Sequence, residues 1–411
     1  MPPSAQRPPG GRDIVVCSDG TGKSLDGRAT NVVGLVGCLS LDDARRQVVV
    51  YDRGIGSGSA GGEAFRSAHR DALASGALRL LEPRTRARPL GERAERAAGL
   101  LFGHGLRQNV GEMYCELAAL HEGPGDRVLL FGFSRGAFTV RALAGLLHRC
   151  GLPGPGEDAE ARFGRAWRLF APMRPDAAAI AALRAGGRAC PVHLMGVWDT
   201  VKSYGGLRPA LLPHLRHNPI VVHVRHALAL DERRAWFKPT TWGRLDLDRA
   251  GALTRVPPED ARAIEVQDVL EVWFAGCHSD VGGGVPGDTP GIALRWMLAE
   301  AAAVTPGLRL NAAGRALLGH DDPTGAPAVQ ESWTRAWGRA EAIPRQEIDN
   351  GGAWPARRWH VGSDGARSPA DTPRDGGRVY VHRTAARTRR LPFAVTTVET
   401  KRQVRGARSA G

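Results

Sequence analysis

Short apolar segments that alternate with helix-forming segments are the feature that most restricts how this chain can fold. Val, Ile and Leu dominate these segments, and turn-forming residues bound them, which is typical of strands. They lie at residues 13–18, 47–52, 126–133, 191–199 and 269–276, with a later strand predicted at 379–384. Because the strands are apolar on both faces, the pattern predicts an α/β fold: a three-layer, mainly parallel sheet with helices on both faces.

Polar residues stand at the carboxyl ends of these predicted strands. They are Asp19, Ser134, Asp199 and His278. In parallel α/β sheets, ligands bind beyond the carboxyl ends of the strands. The sequence therefore predicts that a functional site lies at this edge of the sheet.

The segment Gly132-Phe133-Ser134-Arg135-Gly136 has the G-x-S-x-G pattern and lies between a predicted strand and a predicted helix. A nucleophile elbow requires this context, because the small glycines allow the tight turn that exposes the serine hydroxyl. Ser134 is the predicted nucleophile, and the backbone amide of Arg135 is a predicted donor to an oxyanion. The alternative is an ordinary glycine-rich turn between a strand and a helix.

A serine nucleophile needs a base, and the base needs an acid to orient it. His278 follows the strand at 269–276 and is the predicted base, while Asp199 ends the strand at 191–199 and is the predicted acid. This gives the chain order Ser, acid, His. Asp280 is an alternative acid because it lies two residues from His278. Asp231 is a further alternative, although its predicted helical setting favours an ion pair.

The loop after the first strand is a candidate second donor to the oxyanion. Its residues Asp19, Gly20 and Thr21 are small or turn-forming, so that backbone amides can approach a substrate. Asp19 has a structural alternative, in which its carboxylate accepts amide hydrogen bonds within its own turn.

Two segments look like nucleotide-binding motifs but do not meet the requirements. The run GTGKS would need Gly at position 17 to form a phosphate-binding loop, and that residue is Cys17. The run GSGSAG at 56–61 follows a strand, but the nearest acidic residue at the distance expected of a ribose contact is Glu82, which lies in a stretch rich in Arg and Pro. The sequence therefore predicts no dinucleotide cofactor.

The charge balance is strongly basic, yet it does not indicate a nucleic-acid-binding protein. The formal net charge is +14, and all but four of the 56 basic residues are arginines scattered along the chain. This composition is that of a GC-rich genome more than of a selected binding surface, so we do not expect nucleic acid as a partner. The charge leaves open peripheral contact with an anionic membrane.

The six cysteines form no C-x-x-C pair and have no metal-ligand spacing. We therefore expect a reducing compartment, no metal and no other cofactor. The first twelve residues contain no apolar core of a signal peptide, and no run approaches the length of a membrane span. These observations predict a cytoplasmic protein, with signal-independent export as the alternative.

Taken together, the motifs resemble a known family. They are SDGTGKS, YDRGIGSG, GHGLRQNVGEMY, GDRVLLFGFSRGAFTVRALAGLLHRCGL, MGVWDTVKSYGG, HALALDERRAWFKP, VWFAGCHSDVGGG and WMLAEA. In combination over residues 12–305 they resemble the uncharacterised α/β-hydrolase domain family, formerly a domain of unknown function, which includes the phospholipase effectors of bacterial type VI secretion. The resemblance implies a Ser–Asp–His hydrolase that uses Ser134, Asp199 and His278.

Motifs and resemblance together predict a serine hydrolase that cleaves a carboxylic or lipid ester through an acyl-enzyme. Its substrate would be a small-molecule or lipid ester. One alternative is a phospholipase acting at anionic membranes. The effectors carry additional membrane-docking regions, and no amphipathic or apolar anchor is evident in the last third of this chain. Another alternative is a non-catalytic, arginine-rich binding protein on a hydrolase fold.

Composition also predicts the domain organisation. We expect a disordered tail at residues 1–12, which are rich in Pro and Gly, and an α/β-hydrolase-like catalytic domain at 13–305. Within that domain, residues 82–97 and 200–262 are predicted helical or irregular insertions. Residues 306–411 are predicted to form a partly irregular C-terminal extension.

Overall fold

The structure is a computed structural model of the 411-residue chain. It describes residues 11–20, 29–54, 59–81, 105–171, 176–201, 212–234, 237–242, 258–287, 289–335, 337, 367, 379–387 and 396–398. The predicted insertion at 82–97 lies outside these residues, as do residues 1–10 of the predicted tail.

A parallel sheet forms the centre of the molecule, and nine strands of it lie within the described ranges. Their order across the sheet is β3-β2-β1-β4-β5-β6-β7-β8-β9, and every neighbouring pair is parallel. The strands are β1 (Asp13–Ser18), β2 (Gln47–Asp52), β3 (Leu78–Leu81), β4 (Arg127–Phe133), β5 (Val192–Trp198), β6 (Val221–Ala229), β7 (Asp268–Phe274), β8 (Tyr380–His382) and β9 (Thr396–Val398).

Helices connect the strands and cover the sheet. In the described part of the chain they are α1 (Asn31–Cys38), α2 (Ser59–Ala68), α3 (Arg70–Ala74), α4 (Leu106–Leu120), α5 (Arg135–Cys150), α6 (Ala159–Phe170), α7 (Ala177–Ala185), α8 (Pro258–Glu265), α9 (His278–Gly282), α10 (Thr289–Val304), α11 (Ala312–Gly319) and α12 (Arg383–Ala386). None of these helices combines the length and the apolar character needed to cross a membrane.

Alternate residues of each strand point into two separate apolar cores. Ile14 and Val16 of β1 pack on one side of the sheet with α4, α5 and α6. Val15 and Cys17 pack on the other side with α1 and α10. This is the period-two alternation of a strand that is buried on both faces. The predicted three-layer α/β architecture is confirmed.

The central strand β6 corrects the prediction of an insertion at 200–262, because it lies between β5 and β7. Charged residues interrupt its apolar pattern and concealed it. Arg225 is buried, and its guanidinium donates to Asp268 and Glu300, both at 2.6 Å. Partners on a neighbouring strand and on a helix thus satisfy the hydrogen bonds of an arginine that the local sequence pattern predicts to be exposed. The strands β3 and β9 were also not predicted.

Two predicted boundaries also differ from the structure. The backbone amide of Arg12 donates to Asp126 at 2.9 Å, so this residue of the predicted tail is held against the domain. The predicted extension at 306–411 supplies β8 and β9, which continue the central sheet beyond β7. Residues far apart in the chain therefore share one sheet and one carboxyl-terminal edge.

Candidate active site

Ser134 occupies a strained turn between β4 and α5. Its φ of 58° and ψ of −117° lie in a region that residues with a side chain rarely adopt. The neighbouring glycines make this turn possible, because the backbone passes very close to them. A Cβ atom on Gly136 would lie 2.1 Å from the carbonyl oxygen of Ser18, and one on Gly132 would lie 2.7 Å from Ala137. These contacts are those expected of the predicted nucleophile elbow.

His278 is the first residue of α9, directly after the turn that follows β7. Its Nε2 atom lies 2.8 Å from the Ser134 hydroxyl oxygen, and its Nδ1 atom lies 2.6 Å from Oδ2 of Asp199. The ring packs against Phe133 and Phe237, with centroid distances of 4.6 and 4.9 Å. The structure thus brings together the three side chains that the sequence predicted as nucleophile, base and acid.

Asp199 is fully buried at the end of β5. Its φ of 39° is in the left-handed region, so the chain turns sharply as it leaves the strand. The backbone amide of Asp199 donates to the Ala227 carbonyl at 2.8 Å, and its Oδ1 accepts from the Ala229 amide at 3.0 Å. The end of β6 therefore holds both the backbone and the carboxylate of Asp199.

Arg367 is a second partner of the Asp199 carboxylate, and sequence reasoning missed it. Its guanidinium donates to Oδ1 at 2.5 Å and to Oδ2 at 3.1 Å. Burial alone would raise the pKa of Asp199, but the charge of Arg367 and the hydrogen bond from His278 lower it well below its usual range. Asp199 is therefore ionised at neutral pH.

Burial lowers the pKa of His278 from its ordinary value of 6.5, although Asp199 and Glu232 act in the opposite direction. The ring is therefore neutral at pH 7. Nδ1 faces a carboxylate and must carry the proton, which leaves Nε2 able to accept one from Ser134. Ser134 and His278 are only 8% and 4% exposed, so little water surrounds the pair.

The two alternative acids hold the loops beside His278. Oδ2 of Asp280 accepts from the backbone amides of Cys277 and Gln330, both at 2.9 Å. Oδ2 of Asp231 accepts from the Gly276 amide at 2.6 Å. Asp231 follows β6 in a loop, so the prediction of a helical setting was wrong. These carboxylates fix the turn that presents His278, whereas Asp199 bonds to the ring itself.

The loop after β1 lies beside the elbow. A Cβ atom on Gly20 would be 3.5 Å from the Ser134 Cβ. The Gly20 amide donates to Oδ1 of Asp19 at 2.7 Å, and Oδ2 of Asp19 accepts from the hydroxyls of Thr30 and Tyr51. Asp19 thus has the turn-stabilising contacts of its structural alternative. Thr21 lies outside the described residues.

Residues of the segment after β6 pack beside His278. Oε2 of Glu232 accepts from the His278 amide at 3.1 Å, and Glu232 forms an ion pair with Arg234. This pairing lowers the pKa of Glu232 to about 2 against the effect of burial. The guanidinium of Arg234 stacks 3.7 Å from the Phe237 ring and 5.3 Å from that of Trp337. Glu232, Arg234 and Phe237 belong to the motif HALALDERRAWFKP, but the sequence did not indicate a role for them.

Comparisons with known proteins identify the family of this chain. The chain is 31% identical over 241 residues to the uncharacterized protein YEL023C of Saccharomyces cerevisiae, with 56% of this chain and 32% of the yeast protein covered. A crystal structure of an uncharacterized protein from Pseudomonas aeruginosa matches with 20% identity and a TM-score of 0.38, covering 74% of this chain and 47% of the other.

A structure of the Tle1 effector bound to the VgrG spike of the type 6 secretion system matches with 16% identity and a TM-score of 0.30. That match covers 67% of this chain and 52% of the Tle1 chain. The chain thus spans about half of each solved chain and a third of the yeast protein. The family model described as "T6SS, Phospholipase effector Tle1-like, catalytic domain" matches residues 12–300, and the chain therefore belongs to the Tle1-like phospholipase effector family.

Proposed function

We propose that this protein is a serine hydrolase that cleaves lipid or other carboxylic esters, with Ser134 as nucleophile, His278 as base and Asp199 as orienting acid. The observation that carries the proposal is the continuous hydrogen-bond chain from the Ser134 hydroxyl through both ring nitrogens of His278 to Asp199. Membership in a phospholipase effector family supports lipid ester hydrolysis as the reaction class.

In the first half-reaction, His278 Nε2 takes the proton from Ser134 as the hydroxyl oxygen attacks the ester carbonyl carbon. Asp199 stabilises the imidazolium that forms. When the tetrahedral intermediate collapses, His278 gives its proton to the leaving alkoxide, and an alcohol departs from an acyl-enzyme. In the second half-reaction, His278 takes a proton from water, hydroxide attacks the acyl carbon, and the carboxylic acid leaves as Ser134 regains its proton.

The negative charge of the tetrahedral intermediate needs donors near the elbow. We propose the backbone amide of Arg135, because it begins α5 directly after Ser134 at the positive end of the helix dipole. The β1 loop is the proposed source of a second donor. Since the Gly20 amide already bonds to Asp19, the Thr21 amide is the candidate that we retain.

A fluorophosphonate probe tests the nucleophile without knowledge of the substrate. We expect the wild-type protein to be labelled and Ser134→Ala to remain unlabelled. Ser40→Ala is the matched control, because this serine bonds to Asp42 in a loop far from the elbow, and it should be labelled like the wild type. Equal labelling of wild type and Ser134→Ala would refute the proposal.

Vesicles distinguish the substrate classes. Release of fatty acid from vesicles of anionic phospholipid by wild type, and not by Ser134→Ala, would establish a phospholipase. Hydrolysis of a soluble short-chain ester alone would establish an esterase. A non-catalytic binding protein would instead show no probe labelling, together with salt-dependent association with nucleic acid or anionic lipid.

A further inference from the structure

Arg367 lies outside the part of the chain that matches the family model, which ends at residue 300. It is nevertheless buried at the centre of the candidate site, where it meets Asp199 from a position 168 residues further along the chain. A buried arginine with a bidentate carboxylate partner is a costly arrangement unless its remaining donors are also satisfied. In Arg367 the terminal guanidinium nitrogens have partners in three different parts of the site.

The guanidinium connects three parts of the site. One nitrogen donates to Oδ1 of Asp199 and to the Ala229 carbonyl at 3.0 Å, and the other donates to Oδ2 of Asp199 and to the Phe237 carbonyl. Ala229 ends β6, and the Phe237 ring packs on His278. Arg367 thus links the acid, the strand end that holds the acid and the aromatic residue beside the base.

With Arg367 in place, both oxygens of Asp199 are fully engaged. Oδ1 accepts from the Ala229 amide and from Arg367, while Oδ2 accepts from His278 and from Arg367. Rotation of the carboxylate about its bond to Cβ would break charge-assisted hydrogen bonds on both oxygens. Arg367 and the Ala229 amide therefore hold the carboxylate in the orientation that directs Oδ2 toward His278.

The charges around His278 form two opposed pairs. Asp199 faces Arg367, and Glu232 faces Arg234. Asp280 lies on the same short helix as His278, and His226 of β6 lies near Asp199. Because Arg367 offsets the charge of Asp199, the carboxylate attracts a proton onto the imidazole less strongly than an unpaired carboxylate would.

We propose that Arg367 is a positioning residue that completes the catalytic unit from the C-terminal part of the chain, by fixing the Asp199 carboxylate and by moderating the basicity of His278. This inference rests on the proposed function, since it assumes that His278 acts as the base toward Ser134.

The test is the pH dependence of the rate at which a fluorophosphonate labels Ser134, which reports the ionisation of His278 in the free protein. In Arg367→Gln we expect the acid limb of this profile to move up by about half a pH unit or more, because a cation near the imidazole is lost. We also expect the plateau rate to fall roughly 10- to 100-fold, because small misplacements of catalytic groups have effects of this size.

Arg367→Lys separates charge from geometry. Lysine keeps the positive charge but cannot form the bidentate fork, so we expect a reduced plateau with the acid limb close to that of the wild type. Arg162→Gln is the matched control. Arg162 is also buried, pairs with Glu157 and donates to two backbone carbonyls, but it lies in α6 away from the site. This control should unfold more easily and keep the wild-type pH profile.

The outcomes separate the two proposals. One outcome is that the folded Arg367 variants have the same plateau labelling rate and the same acid limb as the wild type and Arg162→Gln. In that case the role of Arg367 is refuted, while the proposed hydrolase function stands. If Arg367→Gln does not fold, Arg367→Lys decides, because an unchanged plateau in that variant overturns the role of the fork. If Ser134→Ala is labelled as fast as the wild type, the proposed function itself has failed.

Discussion

At the scale of single residues, the partners of the His278 ring determine what it can do. One ring nitrogen faces Asp199 at 2.6 Å and the other faces the Ser134 hydroxyl at 2.8 Å. A neutral ring that keeps its proton on Nδ1 and accepts on Nε2 satisfies both contacts. Exchange of Asp199 should therefore alter the tautomer and with it the capacity of Nε2 to accept the serine proton, whereas exchange of Ser134 removes the nucleophile itself.

The choice of acid leads to a prediction that compares two aspartates. Asp199→Asn should reduce the labelling rate by about 10⁴-fold, because an amide favours the wrong tautomer of the histidine. Asp280→Asn should have a much smaller effect on the rate, since Asp280 accepts from backbone amides. The measurement is labelling kinetics on both variants after circular dichroism has shown that they are folded. A greater loss in Asp280→Asn would reverse the assignment.

The pH dependence follows from the lowered pKa of His278. Below that pKa the ring is protonated and cannot accept from Ser134, so the rate is lost as the pH falls through it. Because burial lowers the pKa, we expect the midpoint of the acid limb below 6.5. The labelling rate measured from pH 4 to 8 gives this midpoint. A midpoint above 6.5 would show that Asp199 and Glu232 outweigh burial.

At the scale of elements, the turn from β4 to α5 holds Ser134 in an unfavourable backbone conformation, which the packing around the turn maintains. A non-glycine residue with positive φ costs of order 1–3 kcal/mol, and Ser134 is such a residue. Gly132 and Gly136 let the first turn of α5 approach the ends of β4 and β1. Within this turn the strained residue is therefore the one whose side chain the site uses as the proposed nucleophile.

Replacement of a glycine in this turn should be far more damaging than replacement of a glycine at an open helix position. We expect Gly136→Ala to lower the free energy of unfolding by about 1–3 kcal/mol through overpacking against Ser18 and to slow labelling. Gly164→Ala in α6 is the control, because its added methyl group meets no atom within 4 Å. It should be neutral or stabilising. Urea unfolding of both variants checks this, and equal stabilities would argue against a tightly packed elbow.

At the scale of the whole molecule, local patterns predicted most of the sheet and the three central residues of the site. The strands β1, β2, β4, β5 and β7 are mostly apolar over their six or seven residues, so they can be recognised as strands from the sequence. The carboxyl ends of such strands meet at one edge, which placed Ser134, Asp199 and His278 together. These inferences needed only local information and the topology of parallel sheets.

The parts that escaped prediction depend on contacts between distant residues. Arg225 interrupts β6, and its partners Asp268 and Glu300 become apparent only in the folded chain. Arg367 stands among Gly, Pro and charged residues, where its sequence neighbours give no sign of burial. Several arginines of this basic chain are thus internal, and the partners of Arg225 and Arg367 lie far from them in the sequence.

The role of Ser134 as nucleophile is tested most directly by identifying the residue that reacts with a fluorophosphonate. Intact protein treated with a fluorophosphonate should gain the mass of a single adduct, and peptide mass spectrometry should locate it on Ser134. Denaturation before treatment should abolish the adduct, because the hydroxyl then lacks its bond to His278. An adduct on another residue, or none at all on the folded protein, would show that Ser134 is not the nucleophile.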